Sequence, residues 1–114
     1  MNRYVVLYQA SESVAERFAR ATPQETQIGM QAWADWSATV GSALVDPGGP
    51  LANPVTITST GPTDSKSTII GMSILQAESR ENALELVRGH HHLQWSDECS
   101  ITLLEEIGPP ELAA

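Results

Sequence analysis

The chain has 114 residues, 41% of them hydrophobic, which fits one globular domain with its own core and excludes a disordered chain. The net charge of −8 argues against nucleic acids and anionic membranes as partners, because phosphates are matched by clustered Lys and Arg. The single cysteine, Cys99, excludes an internal disulfide. No apolar run has the length of a signal peptide or a membrane span, so we expect a soluble cytoplasmic protein.

The first part of the chain predicts a strand followed by two helices. Residues Tyr4–Tyr8 form a strand rich in Val and Tyr that is apolar on both faces. Ser13 and Glu16 have the spacing of a capping box and predict a short helix, and Thr22 and Glu25 predict a second, longer one. Its core-facing stripe consists of Gly29, Trp33, Trp36 and Val40, and Gly41 is its expected end.

The second part predicts strands, turns and one more helix. Val55–Thr60 alternates with period two and is typical of a half-buried strand, whereas Gly61–Ser65 has the composition of a turn. Thr68–Ala77 predicts a long strand, Ser79 caps the following helix, and Ser100–Ile107 predicts the last strand.

The element order is therefore β-α-β-β-α-β, which predicts a ferredoxin-like α+β fold with two helices over one face of an antiparallel sheet. We expect residues 46–60 to form a small hairpin. Residues 1–108 are predicted to be a single domain, and residues 109–114 a C-terminal tail.

The second face of this sheet is expected to be apolar. The first strand is apolar on both sides, and Ile70, Met72 and Ile74 alternate onto one face of the long strand. Two helices cover only one face, so the other needs a partner, and the simplest partner is a second copy of the chain. We predict a two-fold homodimer with the sheets packed face to face.

The order and spacing of several short motifs resemble those of a known family. The matching segments are Tyr4–Tyr8, Trp33–Trp36, Gly41, Leu44–Leu51, Gly71–Ala77, Ala83–Gly89, His92–Leu93 and the last strand. In this order of motifs the chain resembles the YCII-related proteins, a family of small dimeric α+β-barrel domains. The resemblance implies a ferredoxin-like protomer, a homodimer and a cleft between helix and sheet, and for a few members a histidine–aspartate pair acting on small ring compounds. Most members have no assigned reaction.

Asp46 lies where the resemblance implies the acidic residue of that pair. A carboxylate at the end of a strand, partly desolvated beside Trp33 or Trp36, can act as a base. The alternative is a turn residue that accepts hydrogen bonds from the amides of Gly48 or Gly49, as Asp commonly does before Pro-Gly.

The family's histidine lies on the first long helix, where this chain has none, so His90 and His92 are the expected substitutes. In an extended segment His90 and His92 point to one side and His91 to the other. Imidazole suits proton transfer near neutral pH. No Cys or His elsewhere completes a metal-ligand pattern, so we predict no metal and no cofactor. The alternative is that these residues interact with the end of the preceding helix and with solvent.

Four further residues are candidates for the wall of a ligand pocket. Trp33 and Trp36 share the helix stripe, where packing is their alternative role. Trp95, in a predicted loop, is a candidate for a pocket wall or a dimer contact. Ser73 is predicted to face the cleft, but no Gly-x-Ser-x-Gly motif surrounds it to make it a nucleophile.

These observations support three hypotheses about function. The first is a cofactor-free acid–base enzyme of lyase or isomerase type, acting on a small organic molecule through Asp46 and His90 or His92. The second is a non-catalytic dimeric module that binds a small molecule or a protein. The third is a cofactor-free monooxygenase, by analogy of fold alone, which substrate-dependent oxygen uptake would reveal.

Overall fold

The computed structural model describes residues 1–108, and the predicted tail of residues 109–114 lies outside that range. The elements are β1 Asn2–Ala10, α1 Glu12–Ala19, α2 Pro23–Val40, β2 Leu44–Pro50, β3 Val55–Thr58, β4 Gly61–Asp64, β5 Ile69–Ala77, α3 Arg80–Arg88 and β6 Cys99–Glu105, with 3-10 turns at Gly41–Ala43 and His91–Gln94. Four strands form one antiparallel sheet in the order β2-β5-β1-β6, and β3 and β4 form a separate two-stranded ribbon. This confirms the α+β class and is compatible with a ferredoxin-like fold. None of the described helices is long and apolar enough to cross a membrane.

The sequence predicted the start of α2 correctly and the start of α1 incorrectly. The capping box of α2 is present, since Thr22 Oγ1 accepts from the Glu25 N–H and Glu25 Oε1 accepts from the Thr22 N–H, both at 3.1 Å. The predicted box at Ser13 is wrong, because the N-cap of α1 is Ser11, whose Oγ accepts from the Val14 N–H at 3.4 Å. Ser13 matched the capping-box pattern through Glu16, whereas Ser11 has Val14 three positions on and caps the helix with its hydroxyl alone.

The predicted hairpin of residues 46–60 is also wrong. β2 pairs with β5 in the main sheet, while β3 pairs with β4, so the segment predicted as a turn is a strand. The reversal occurs at Ser59 and Thr60, where the Thr60 N–H donates to Thr58 Oγ1 at 3.3 Å and Gly61 adopts a φ of +120°. A local serine or threonine turn thus replaced the glycine–proline turn that composition indicated.

The core lies between the helices and one face of the sheet. Tyr4, Val6 and Tyr8 of β1 are buried there beside Leu75 of β5. From the helices this core receives Trp36, Val40, Ala83 and Val87. The alternation along β1 and β5 produces this packing, because every second side chain of a strand points to the same face.

The opposite face of the sheet has an apolar centre. Val5 pairs with Ile74 on one side and with Leu104 on the other, and Leu7 pairs with Met72. Ile70, which was predicted to share this face, instead packs against the buried core, because the β1–β5 register shifts between Tyr8 and Gln9.

Candidate functional site

A cavity of about 590 Å³ lies between the two N-terminal helices and one end of the sheet. Its size falls in the ordinary range for small-molecule sites. Side chains from α1, α2, β1 and the segment after α3 form the wall, and the backbone of Gly48–Pro50 and Gly71 completes it. The aromatic and histidine side chains in the wall are Tyr8, Phe18, Trp33, His91, His92 and Trp95.

His92 combines access to this cavity with a defined hydrogen bond. Its Nε2 lies 2.8 Å from the carbonyl oxygen of Gln9. A carbonyl only accepts, so Nε2 carries the proton and Nδ1 of the neutral ring keeps its lone pair. The backbone of β1 thereby orients the ring and holds it in the tautomer that leaves Nδ1 available as a base.

His90, predicted as the alternative partner, belongs to the core instead. It is fully buried, does not line the cavity, and its Nδ1 accepts from the His92 N–H at 3.0 Å. The ring centroids of Trp36 and Tyr8 lie 4.4 and 4.8 Å away. Burial, followed by the neighbouring histidines, lowers the pKa of His90 to about 3, so the ring is neutral at physiological pH.

His91 faces the cavity together with His92, contrary to the prediction that it would point away. The prediction assumed an extended segment, whereas His91–Gln94 is a 3-10 turn, in which successive side chains do not alternate. The ring stacks on His90 with centroids 4.2 Å apart, and Nδ1 is buried with no hydrogen-bond partner among the described residues. Burial is also the main cause that lowers the pKa of His91.

Asp46 is exposed and is not among the residues that line the cavity. Its Oδ1 accepts from the Gly48 N–H at 2.8 Å, the turn contact proposed as the alternative to catalysis. Within residues 1–108 no hydrogen bond or ion pair joins Asp46 to a histidine. The structure therefore does not bring the predicted acid–histidine pair together.

Ser73 is buried in a hydrogen-bonded chain behind the cavity wall. The Tyr8 hydroxyl lies 2.9 Å from Ser73 Oγ, which in turn donates to the carbonyl oxygen of Pro47 at 2.8 Å. The serine proton is thus committed to Pro47, and the tyrosine proton to Ser73. Burial raises the pKa of Tyr8 to about 12, so its hydroxyl stays protonated. This chain ties the β2 turn to the central strands.

The three tryptophans divide between wall and core. Trp33 and Trp95 line the cavity, and Trp95 lies edge-on to Phe18 at 5.9 Å. Trp36 is buried, lies outside the cavity lining, and donates from Nε1 to the carbonyl oxygen of Leu86 at 3.0 Å. Sequence reasoning missed Tyr8, Phe18 and the charged wall residue Arg17, because each is unremarkable on its own element.

No group of three or more His, Cys, Asp or Glu side chains in residues 1–108 is arranged to hold a metal ion. Comparison with protein-family models, with curated proteins and with solved structures found no match to this chain. In chemical terms the site is an aromatic cavity with one imidazole in its wall that is oriented by a backbone carbonyl.

Proposed function

We propose that this protein is a cofactor-free acid–base enzyme of lyase or isomerase type that acts on a small organic molecule in the aromatic cavity. One observation carries the proposal: His92 lines the cavity while its Nε2–H is engaged by the Gln9 carbonyl. This leaves a basic Nδ1, held in one orientation by the backbone. The pair of Asp46 with a histidine is replaced in this proposal by His92 alone.

His92 would accept a proton from a carbon next to an electron-withdrawing group of the bound substrate. The Gln9 carbonyl then stabilises the imidazolium, because the Nε2–H bond strengthens when the ring becomes charged. In an isomerase the imidazolium returns the proton to another carbon. In a lyase the C–H electron pair forms a double bond as the bond to the neighbouring substituent breaks, and the imidazolium gives the proton to that leaving group. His91 stays neutral beside it, because burial lowers the pKa of its ring.

Replacing His92 with glutamine tests this role. The glutamine amide can still donate to the Gln9 carbonyl, but it is no base. We expect wild-type protein to exchange carbon-bound hydrogens of cyclic keto or hydroxy acids with D₂O, followed by proton NMR, and His92→Gln to be slower by about 100-fold or more. Its melting temperature should stay close to that of the wild type.

The matched variant for this experiment is Asp46→Asn. It should keep most of the exchange rate, because the Asn side-chain oxygen still accepts from the Gly48 N–H. Equal exchange by wild type and His92→Gln would overturn the proposal. Loss of exchange only in Asp46→Asn would restore the acid–histidine hypothesis drawn from the sequence.

A non-catalytic binding module is the second candidate. It is favoured by one observation: no carboxylate in residues 1–108 forms an ion pair with a histidine, so the imidazoles lack the acidic partner that many acid–base sites use. Saturable binding of small cyclic molecules, with no exchange or turnover of any of them, would identify this function.

We also propose that the protein is a homodimer built on the open face of the sheet. Val5, Leu7, Met72 and Ile74 form a continuous apolar patch there, bordered by Leu104, which is 50% exposed in the single chain. A second copy is the simplest cover for such a face. We also propose that the chain is a YCII-related domain, a resemblance that supports the same assembly.

Leu7→Glu tests the dimer. Leu7 lies on the central strand of the patch, so a two-fold interface would bury two carboxylates there without partners. We expect light scattering to give a dimer for wild type and a monomer for this variant. The control is Ile28→Glu, on the exposed side of α2, which should stay dimeric. A monomeric wild type at micromolar concentration would contradict the proposal.

A further inference from the structure

The positive charges of this protein are few, and only one of them reaches the cavity. The sequence has six Lys and Arg residues. Three of them form ion pairs with glutamates: Arg3, Lys66 and Arg88. Of the other three, Arg17 alone lines the cavity.

Arg17 lies in the last turn of α1, where the helix dipole favours a cation. Within residues 1–108 its guanidinium takes part in no hydrogen bond and no ion pair. A guanidinium has five N–H donors in a planar fork that matches a carboxylate. The cavity wall therefore contains a cation whose donors are not used by the protein.

The acidic residue in the same wall does not take this role from Arg17. Glu25 Oε1 accepts from the Thr22 N–H at the start of α2, and no ion pair within 4 Å joins it to Arg17. Hydrogen bonding to Thr22 is the main cause that lowers the pKa of Glu25, and the charge of Arg17 contributes less. Glu25 is thus held by its own helix, and Arg17 remains free for a ligand.

The rest of the wall has the shape and chemistry for a flat apolar body. Trp33 lies edge-on to Tyr8 at 5.0 Å, and Phe18 and Trp95 form a second edge-on pair. Aromatic rings of this kind pack well against planar rings. Arg17 and Phe18 of α1 both line the cavity, so the cation and the apolar surface belong to one wall.

We propose that the cavity takes a small aromatic or cyclic carboxylate, with Arg17 binding its carboxylate and the Trp33, Trp95 and Phe18 rings enclosing its ring. This deepens the proposed function by naming the substrate class, and it rests on the same cavity being the active site. Arg17 is then the residue that selects anions, which the acidic surface as a whole would otherwise disfavour.

The test is the binding of benzoate and of its neutral analogue benzamide, followed by calorimetry and tryptophan fluorescence. We expect wild-type protein to bind benzoate at least about tenfold more tightly than benzamide. Arg17→Gln should weaken benzoate to the level of benzamide and leave benzamide unchanged. The matched control is Arg20→Gln, three residues further on and outside the cavity lining, which should bind benzoate like the wild type.

Three results would overturn the proposal: no benzoate binding at millimolar concentration, equal binding of benzamide and benzoate, or equal weakening by Arg17→Gln and Arg20→Gln. These outcomes are separable from failure of the proposed function. Benzoate binding is measured without turnover, so binding without hydrogen exchange in the wild type would reject the enzyme and keep the anion site. Hydrogen exchange of neutral substrates without benzoate binding would support the enzyme and reject the anion site.

Discussion

Gly48→Ala is expected to lower the free energy of unfolding by about 3 kcal/mol or more, because two separate penalties act at one position. Gly48 has a φ of +66°, which costs any residue with a Cβ. A Cβ there would also collide with the backbone carbonyl of Met72, which cannot move without breaking the sheet. A domain of this size is stable by only about 5–15 kcal/mol, so the loss is a large fraction of the whole.

The substitution Gly48→Ala should also disturb the cavity, because of the position of Gly48 in β2. Between the pairs Asp46–Ile74 and Gly49–Met72, the register of β2 shifts, so that Pro47 and Gly48 leave the ladder. Gly48 and Gly49 are part of the cavity wall. We therefore expect Gly48→Ala to lose ligand binding along with stability.

Gly49→Ala is the matched control. A Cβ at Gly49 meets nothing within 4 Å, and its φ lies outside the left-handed region. Its unfolding free energy should stay within about 1 kcal/mol of the wild type. Urea denaturation of the three proteins measures the difference. If Gly48→Ala and Gly49→Ala unfold at the same urea concentration, the turn does not hold β2 as described.

Acid should destabilise this protein through His90. The folded-state pKa of about 3 lies below the ordinary value of 6.5, so the unfolded chain binds the proton more readily in this interval. The contribution of His90 to stability is complete above about pH 6.5 and is lost as the pH falls from there towards 3. At about pH 4.5 the loss should reach roughly 3 kcal/mol.

The measurement is urea denaturation at neutral pH and at about pH 4.5 for wild type and His90→Gln. The variant, whose side chain does not titrate, should lose less stability on acidification than the wild type. NMR of the His90 ring gives a direct check: its signals should not titrate over this interval, and Nδ1 should be unprotonated, since it accepts from the His92 N–H. A His90 ring that titrates near neutral pH would contradict the buried placement.

His90, the acid-sensitive residue of the core, lies next to His92, the candidate base. His90 supports the backbone of His92 through the hydrogen bond from the His92 N–H. Protonation of His90 in acid would therefore also remove this support from His92. The His90→Gln series shows whether the exchange rate falls together with stability, because both are measured on the same samples.

Local patterns were sufficient for most elements of the fold. The Thr22 capping box, the alternation in β1 and β5 and the Ser79 cap each depend on residues close in sequence, and all three are present as expected. At two places a local pattern gave the wrong prediction. Ser13 and Glu16 had the spacing of a capping box although the N-cap is Ser11, and Gly61–Asp64 had turn composition but pairs as a strand with Val55–Thr58.

By itself, then, the sequence determined an α+β chain with an antiparallel sheet, an aromatic helix stripe and a histidine segment, because hydrophobic period and caps act over a few residues. Only the tertiary structure decided which side chains share a cavity. The carbonyl of Gln9, 83 positions from His92, sets the tautomer of that ring, and a 3-10 turn brings His91 to the same wall. Such contacts arise from strand order and register, which no local pattern encodes.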